Sequence, residues 1–205
     1  MNLKKSLIAS LLALGLSTTF AHADVINIEA SQDATIGGGN NAWNIWYRWV
    51  GWGPQGYFAI FGFDVDALAG KSINSVSFTA YHNYNAGDDV VAASVGSDTS
   101  WNASTVIGYT AVGTTLDTQA ATSANLGTYQ TWNLGAQSLS GTNFTVALTS
   151  LGNGWNDYAP VASGANAAYL TVDYSNNVPE PATLGLMGLG VAGIAAIRRR
   201  AKANK

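Results

Sequence analysis

An aromatic segment at residues 40–58, NNAWNIWYRWVGWGPQGYF, holds the side chains best suited to bind a ligand. Trp43, Trp46, Trp49 and Trp52 recur there at every third position. Residues three apart on a β-strand lie on opposite faces, so the four indoles cannot form one stripe. The spacing therefore predicts two sets of tryptophans on opposite faces of a strand.

The two faces differ in their polar content. Trp43 and Trp49 share a face with apolar neighbours, and we expect this set in the core. Trp46 and Trp52 share the other face with Arg48, and we expect this set to form a surface platform. Exposed aromatic rings can stack on the apolar faces of sugars, while Arg, Asn and Asp bind the hydroxyls. The candidate carbohydrate-binding residues are Trp46, Arg48, Trp52, Tyr81, Tyr84 and Trp155. The alternative, that the tryptophans only fill the core and its loop ends, stays open because large aromatics dominate cores.

A second group of candidates is acidic. Calcium takes several hard oxygen ligands, and carboxylates supply them. The candidate calcium ligands are Asp64, Asp66, Asp88, Asp89 and Asp157. Neither an EF-hand nor a nonapeptide repeat spacing is present, so solvated loop carboxylates remain the alternative. No cofactor other than this candidate Ca²⁺ is predicted.

Groups for catalysis are scarce between residues 24 and 175. His82 is the sole histidine there, Lys71 is the sole lysine, and the chain has no cysteine. No nucleophile elbow precedes a helix, and no pair of carboxylates is singled out for glycoside hydrolysis. We expect that the protein is not an enzyme.

The charge of the chain is distributed unevenly. The whole chain has a formal charge of −3, but residues 24–175 hold only two positive side chains, Arg48 and Lys71, against eleven negative ones. Their formal charge is therefore −9, and such a surface repels phosphate backbones. Nucleic-acid binding is excluded on this ground, and an acidic polysaccharide would need a bridging cation.

Short alternating runs, separated by Gly, Asn, Asp and Ser clusters, predict the elements that carry these residues. The predicted strand segments are 57–65, 73–81, 90–95, 128–134, 144–148 and 168–174. No sustained 3.6-residue period occurs between residues 24 and 175. We expect a single all-β, jelly-roll-type β-sandwich at residues 24–175, with other Greek-key orders left open.

The N-terminus has the three-part pattern of a secretory signal peptide. Lys4 and Lys5 precede a short apolar run, and the segment ends on Ala21-His22-Ala23. We expect signal peptidase to recognise Ala21 and Ala23 and to remove residues 1–23.

The C-terminus has three parts in order. A linker at 176–181 contains Val178, Pro179, Glu180 and Pro181, an uncharged segment follows at 182–197, and the basic tail 198–205 begins with Arg198, Arg199 and Arg200. A 16-residue helix would be about 24 Å long, short of a hydrocarbon core of about 30 Å. The basic end predicts that the tail is cytoplasmic and the domain outside.

These three parts resemble the PEP-CTERM sorting signal. The resemblance implies an exopolysaccharide-producing Gram-negative bacterium and processing at the Pro-Glu-Pro site by an exosortase-type membrane protease. The chain would then be a transient inner-membrane protein with a transmembrane helix at 182–197, and later a cell-surface or matrix protein. A permanent single-pass anchor is the alternative.

The central domain resembles the DNRLRE family of exported β-sandwiches, which overlaps a jelly-roll carbohydrate-binding family. The matching stretches are 30–36, 60–65, 73–78, 98–106 and 169–174. The sequence departs from the family pattern at two places: Ala103 replaces a usual Glu, and Ser163-Gly164-Ala165 replaces "SRE". The resemblance implies a jelly roll and a polysaccharide ligand.

Together these patterns predict an exported surface protein that binds or organises exopolysaccharide in a biofilm or floc matrix. A structural surface-coat protein without sugar binding is one alternative. A small polysaccharide-active hydrolase is the other.

Overall fold

The computed structural model describes residues 23–37, 41–43, 48–51, 56–106 and 109–176, together with Gly190. Residues 23–175 form one compact unit of antiparallel strands and short 3₁₀ helices. The 3₁₀ helices are Asp66–Leu68, Ser123–Asn125 and Val161–Asn166. Nothing longer than these turns is helical within that unit's described residues, as the lack of a 3.6-residue period predicts.

The strands form two six-stranded sheets. The first sheet contains β1 (Ala23–Glu29), β4 (Arg48–Gly51), β6 (Ser72–Asn85), β9 (Tyr129–Gly135), β11 (Trp155–Tyr158) and β12 (Tyr169–Ser175). The second contains β2 (Gln32–Gly37), β3 (Asn41–Trp43), β5 (Phe58–Phe63), β7 (Asp89–Gly96), β8 (Thr115–Ala121) and β10 (Phe144–Ser150). Each predicted strand segment overlaps one of β5, β6, β7, β9, β10 and β12.

The strand order identifies the fold. In the first sheet the order is β1-β12-β6-β11-β4, and β9 also pairs with β6. In the second it is β3-β2-β5-β10-β7-β8. Eight of the strands can be numbered one to eight in chain order: β1, β5, β6, β7, β8, β9, β10 and β12. Neighbouring strands then read 1-8-3-6 in the first sheet and 2-7-4-5 in the second. This is the order of a jelly roll, so the predicted jelly-roll β-sandwich is confirmed.

The main core lies between the inner faces of the two sheets. Phe61, Phe63, Phe78 and Trp132 are fully buried there, and their rings contact one another at centroid distances of 5.2–6.0 Å. The Trp132 indole N–H donates to a backbone carbonyl of β7 at 2.9 Å, so its polar atom is paired. Strand alternation places these residues inward, as the sequence pattern predicts.

A smaller apolar cluster lies on the outer face of the second sheet. Trp101 and Tyr109, from the connection between β7 and β8, pack there against Ile36 and Ile60. The connection approaches so closely that Gly62 has no room for a side chain, because a Cβ there would lie 3.1 Å from the Trp101 ring and 2.1 Å from an Asn143 oxygen. The long connection is therefore part of the packed structure.

Strands β8 and β11 escaped prediction because they are short or polar. β11 has four residues, WNDY, and β8 reads TLDTQAA at the edge of the second sheet. Neither has the alternation of apolar and polar residues over several positions that indicates a strand. Pairing with β6 and β4 defines β11, and pairing with β7 defines β8.

Candidate functional site

Strands β4 and β11 place three aromatic rings on the outer face of the first sheet. β11 pairs with β4 so that Trp155 lies opposite Gly51, and an isolated bridge sets Tyr57 opposite Gly51 on its other side. Side chains directly opposite each other in an antiparallel pair lie on the same face. Trp49, two residues before Gly51, also lies on this face.

The rings of Trp49, Tyr57 and Trp155 are in mutual contact, and we call them the aromatic cluster. Centroid distances are 4.7 Å between the two indoles, 5.6 Å between Trp49 and Tyr57, and 5.2 Å between Tyr57 and Trp155. The rings meet edge-on or tilted, which is the favourable arrangement for aromatic quadrupoles. All three are half-buried, so each keeps part of its surface in solvent.

Gly51 makes this arrangement possible. It lies between Tyr57 and Trp155 and has no side chain to separate their rings. A Cβ at Gly51 would lie 2.9 Å from the Gly154 carbonyl oxygen and 3.4 Å from the Trp155 ring. The aromatic cluster thus depends on a close approach that glycine alone permits.

Asp157 lies beside the aromatic cluster on the same face. It is opposite Trp49 across the β4–β11 pair, and the Trp155 indole N–H donates to its carboxylate at 3.2 Å. The residue is only 5% exposed. Burial raises the pKa of Asp157 to about 6, and the Trp155 hydrogen bond opposes that rise in part. The site therefore contains a carboxyl group that gains its charge near neutral pH.

Tyr84 extends the site along β6. It lies opposite Asp157 in the β6–β11 pair and is 49% exposed. A bulge at the Asp157/Tyr158 step shifts the register of this pair and leaves Asn83 and Tyr84 both exposed. The outer face thus offers two indoles, two phenols and a carboxylate to a ligand.

Among the described residues of β4, the side chains that face the core and those that face outward are the reverse of the prediction. Val50 belongs to the core and Arg48 is buried, whereas Trp49, predicted to be in the core, lies on the outer face. Arg48 forms an ion pair with buried Asp33 on β2, and Asp33 also accepts the backbone N–H of Val161 at 2.6 Å. The predicted surface position of Arg48 is wrong, because its charge is compensated inside the sandwich.

The other carbohydrate-binding candidates fall into two groups. Trp46 and Trp52 lie outside the described residues. Tyr81 is half-buried on the outer face of β6, where its ring meets Tyr129 at 5.2 Å, and Tyr129 meets Tyr169 at 6.1 Å. Tyr129 is 44% exposed, so these three residues form a second aromatic surface, which we call the tyrosine row.

The candidate calcium ligands are dispersed. Asp64 and Asp66 are exposed beside the first 3₁₀ helix, where Asp64 accepts the N–H of Asp66 at 3.1 Å, and Asp88 is exposed before β7. Asp89 is buried and accepts hydrogen bonds from the Ser150 hydroxyl and from the N–H of Gly152 at 2.8 Å. Among the described residues no three His, Asp or Glu side chains converge as a metal site would require.

His82 is a buried strand residue. Its ring stacks on Tyr158 and faces the side chains of Asn125 and Asn156 at hydrogen-bond distance. Asn156 lies between Trp155 and Asp157 in β11, so this polar cluster stands directly behind the site.

Trp49 and Tyr57 are the site residues that the sequence pattern did not select. The apolar neighbours of Trp49 predict that it lies in the core, and the pattern at Tyr57 predicts only the start of a strand. A signal was present in Gly51 and Gly56, because glycines beside aromatic residues in a strand often mark a close approach. Trp155, which makes that close approach to Gly51, lies about 100 residues further along the chain. Only the pairing of β4 with β11 brings the two together.

Comparison with known proteins identifies the C-terminal segment. Residues 177–200 match the PEP-CTERM protein-sorting motif, which confirms the predicted sorting signal. The motif indicates a protein that is anchored at a membrane, processed by exosortase, a membrane protease, and exported. No curated protein matches the chain.

Among the solved structures, CsCBM6-3 from Clostridium stercorarium in complex with cellobiose is similar to this chain. The two share 14% identity over 74% of this chain and 94% of that one, with a TM-score of 0.32. The resemblance to the DNRLRE family stays a prediction.

The predicted membrane segments lie outside the described part of the chain. The signal peptide precedes it except for Ala23, and the segment 182–197 is outside it except for Gly190. Within the described residues, no helix has the length and hydropathy needed to cross a membrane.

Proposed function

We propose that this protein is an exported, exosortase-processed protein that binds exopolysaccharide through the aromatic cluster. The observation that carries the proposal is the contact of Trp49, Tyr57 and Trp155 on one outer face. Asp157, which is largely buried, and Tyr84, which is exposed, lie beside them. The PEP-CTERM motif supplies the extracellular setting. In this proposal the polysaccharide belongs to a biofilm or floc matrix.

The chemistry of the site suits a sugar chain. A pyranose ring presents apolar C–H groups to an aromatic face and hydroxyls around its rim. The half-buried indoles and phenols would take the apolar faces, since a soluble domain seldom keeps such an aromatic patch without use. Asp157 would accept hydrogen bonds from hydroxyls, and its charge above about pH 6 would strengthen those bonds.

The charge of the domain favours neutral over acidic polysaccharides. With two positive and eleven negative side chains, residues 24–175 repel a polyanion at low salt. An acidic polysaccharide would bind through divalent cations such as Ca²⁺, each bridging the polysaccharide to one of the separate exposed carboxylates, such as Asp64 or Asp88. Neutral glycans need no such bridge.

The test is affinity electrophoresis of the protein in gels that contain β-glucan, xylan or alginate, each with Ca²⁺ and with chelator. We expect retardation by at least one neutral polysaccharide. The Trp155→Ala variant should lose about 2 kcal/mol, or about 30-fold in Kd, because the loss of a central aromatic anchor removes much of the binding energy.

The control is Tyr129→Ala, which removes an exposed ring from the tyrosine row. If this variant loses binding and Trp155→Ala does not, the tyrosine row is the site and the aromatic cluster is not. Trp46→Ala and Trp52→Ala extend the test to the residues outside the described part of the chain. Normal binding by all these variants would contradict both surfaces.

A structural surface protein is the second candidate function, and β1 favours it. β1 lies at the end of the first sheet's strand order, and its Val25 side chain is 67% exposed. An edge strand can pair with another chain. Concentration-dependent assembly in sedimentation velocity without sugar, abolished by Val25→Lys, would favour this function over glycan binding.

A further inference from the structure

Asp157 presents a nearly buried carboxyl group to the aromatic cluster, and only one of its two oxygens is used. Oδ1 accepts the indole N–H of Trp155 at 3.2 Å, whereas Oδ2 accepts no hydrogen bond from any residue that the structure describes. The residue is 5% exposed, so water reaches it only at one point. An ionised carboxylate has about four lone-pair positions to fill. Asp157 therefore holds an open acceptor on the face where a ligand would lie.

Positive charge is lacking around Asp157. Residues 24–175 contain two positive side chains, Arg48 and Lys71. Arg48, on the neighbouring strand β4, is turned into the sandwich and forms an ion pair there. Lys71 precedes β6 and lies over the Tyr174 ring at 6.0 Å from its centroid. The 14 residues of β6 span about 45 Å, and the site is at the other end of that strand.

The other titratable groups near Asp157 are neutral phenols, carboxyl groups or groups that face away. On β6, Tyr84 faces Asp157, and His82 lies on the opposite, buried side of the strand. Beyond β6, the Asp88 carboxylate accepts the N–H of Ser123 at 3.1 Å. Asp89 is turned inward to Ser150 and Gly152. The carboxyl group of Asp157 thus has no counter-ion among the described residues.

The raised pKa of Asp157 reflects the same imbalance. Burial raises this pKa to about 6, and only the Trp155 hydrogen bond opposes the rise, without help from a neighbouring positive charge. A carboxylate held away from water without a partner is costly. A cation that enters the site would offset that cost.

The aromatic rings determine which kind of cation fits. Ca²⁺ takes about six to eight oxygen ligands, and this face supplies a single carboxyl group. Among the described residues no three acidic or histidine side chains converge here or elsewhere. Organic cations instead bind over aromatic faces, within about 6 Å of the ring centroid. Trp49, Tyr57 and Trp155, with centroids 4.7–5.6 Å apart, offer such faces beside the carboxylate.

We propose that the aromatic cluster and Asp157 bind the positively charged amino groups of an amino-sugar polysaccharide. The sugar ring lies against the aromatic rings, and its ammonium group donates to Oδ2 of Asp157. Eleven negative side chains against two positive ones attract such a polycation to residues 24–175. The proposal rests on the proposed function and names the class of glycan.

The test compares three β-linked glucosamine oligomers of equal length that differ only at nitrogen. One is N-acetylated and neutral, one has free amines, and one is N-trimethylated and positively charged at every pH. Binding is measured by calorimetry at about pH 6.5 with the full chain in a polyoxyethylene detergent, which contains no sugar. We expect both cationic oligomers to bind at least about tenfold more tightly than the N-acetylated one. Equal affinity for all three would overturn the proposal.

The variant Asp157→Asn separates the site from the general attraction of an acidic domain. It should weaken binding of the trimethylated oligomer about tenfold, and that of the N-acetylated oligomer only about twofold. Asp64→Asn is the control, because it removes the same charge from an exposed carboxyl group elsewhere. At about 0.15 M salt it should change either affinity by less than about twofold. Equal losses in the two variants would overturn the proposal.

The pH dependence provides a signature of Asp157 itself. The trimethylated oligomer does not titrate, and it favours the ionised form of the carboxyl group. Its affinity for the wild type should therefore fall as the pH drops through about 6, by at most about tenfold per pH unit. The affinity of Asp157→Asn should lack this step. A wild-type affinity that stays constant between about pH 7.5 and pH 4.5 would overturn the role of Asp157.

The outcomes for this proposal and for the proposed function can be told apart. Neutral glycans that bind, and lose binding in Trp155→Ala, without any preference for cationic oligomers would overturn the amino-sugar ligand alone. A complete lack of binding to every polysaccharide would overturn both. A lysine oligomer of equal charge that binds as tightly as the glucosamine oligomer would overturn the requirement for a sugar.

Discussion

At the scale of single residues, the site combines aromatic rings with a carboxyl group that is costly to charge. Asp157 is surrounded by Trp49, Trp155 and Tyr84 on a face that is partly closed to water. Burial disfavours a carboxylate, and the indole N–H of Trp155 offsets only part of that cost. Such a group costs stability at neutral pH, which suggests that it is retained for binding.

The variant Asp157→Asn tests this cost. Because the pKa of Asp157 is raised to about 6, its contribution to stability is most favourable below about pH 4 and declines as the pH rises through about 6. Asparagine keeps an oxygen for the Trp155 N–H and carries no charge. We expect the variant to be more stable than the wild type by about 1 kcal/mol at pH 7.5, after allowance for solvent screening.

The measurement is urea unfolding at about pH 4.5 and pH 7.5, a range that spans the raised pKa. The stability difference between the two proteins should be smaller at the lower pH. Asp64→Asn, which changes an exposed carboxyl group, serves as the control and should alter stability little. A variant that is less stable than the wild type at pH 7.5 would contradict the assignment.

At the scale of elements, two glycines allow neighbouring groups to pack closely against the strands, one on the outer face of each sheet. Gly51 allows the rings of Tyr57 and Trp155 to meet across β4, and Gly62 allows the connection between β7 and β8 to lie against β5. The indole N–H of Trp101, in that connection, donates to the hydroxyl of Thr145 at 2.8 Å. A packed connection of this kind should respond to a single added methyl group.

Gly62→Ala should destabilise the domain by about 1–3 kcal/mol, since its Cβ would meet Asn143 and Trp101 at 2.1 Å and 3.1 Å. Thermal unfolding followed by near-UV circular dichroism would measure the change. Gly70→Ala is the contrast, because nothing lies within 4 Å of its Cβ and only its positive φ of 75° opposes the methyl. A loss at Gly62 no larger than that at Gly70 would contradict the packing of the connection.

At the scale of the whole molecule, the sorting motif and the folded unit divide the chain into parts with different tasks. The compact unit ends at Ser175, and the match to the PEP-CTERM motif begins at residue 177. Three residues separate the end of the last strand, β12, from the Pro-Glu-Pro sequence. Removal of the tail would leave the jelly roll complete.

Intact-mass spectrometry of the exported protein tests that division. We expect a mass that lacks residues 1–23 and all residues after the 178–181 motif. Replacement of Glu180 and both flanking prolines by alanine should keep the tail attached and the protein in the membrane fraction. An exported protein that ends at Lys205 would contradict processing and support a permanent anchor.

The sequence by itself was sufficient for the fold class and the sorting signal. Alternation in β5, β6, β9 and β12 depends on residues adjacent along the chain, and so do the Pro-Glu-Pro motif and the basic tail. Local patterns of this kind need no tertiary information.

The tertiary structure decided the site. The direction in which Arg48 and Trp49 point depends on Asp33 and on the core beneath Val50, which β4 meets only after folding. The contact of Trp49 and Tyr57 with Trp155 depends on a strand pair between segments about 100 residues apart. Strand alternation separates two faces but does not say which is inside, because burial is a property of what packs against a strand.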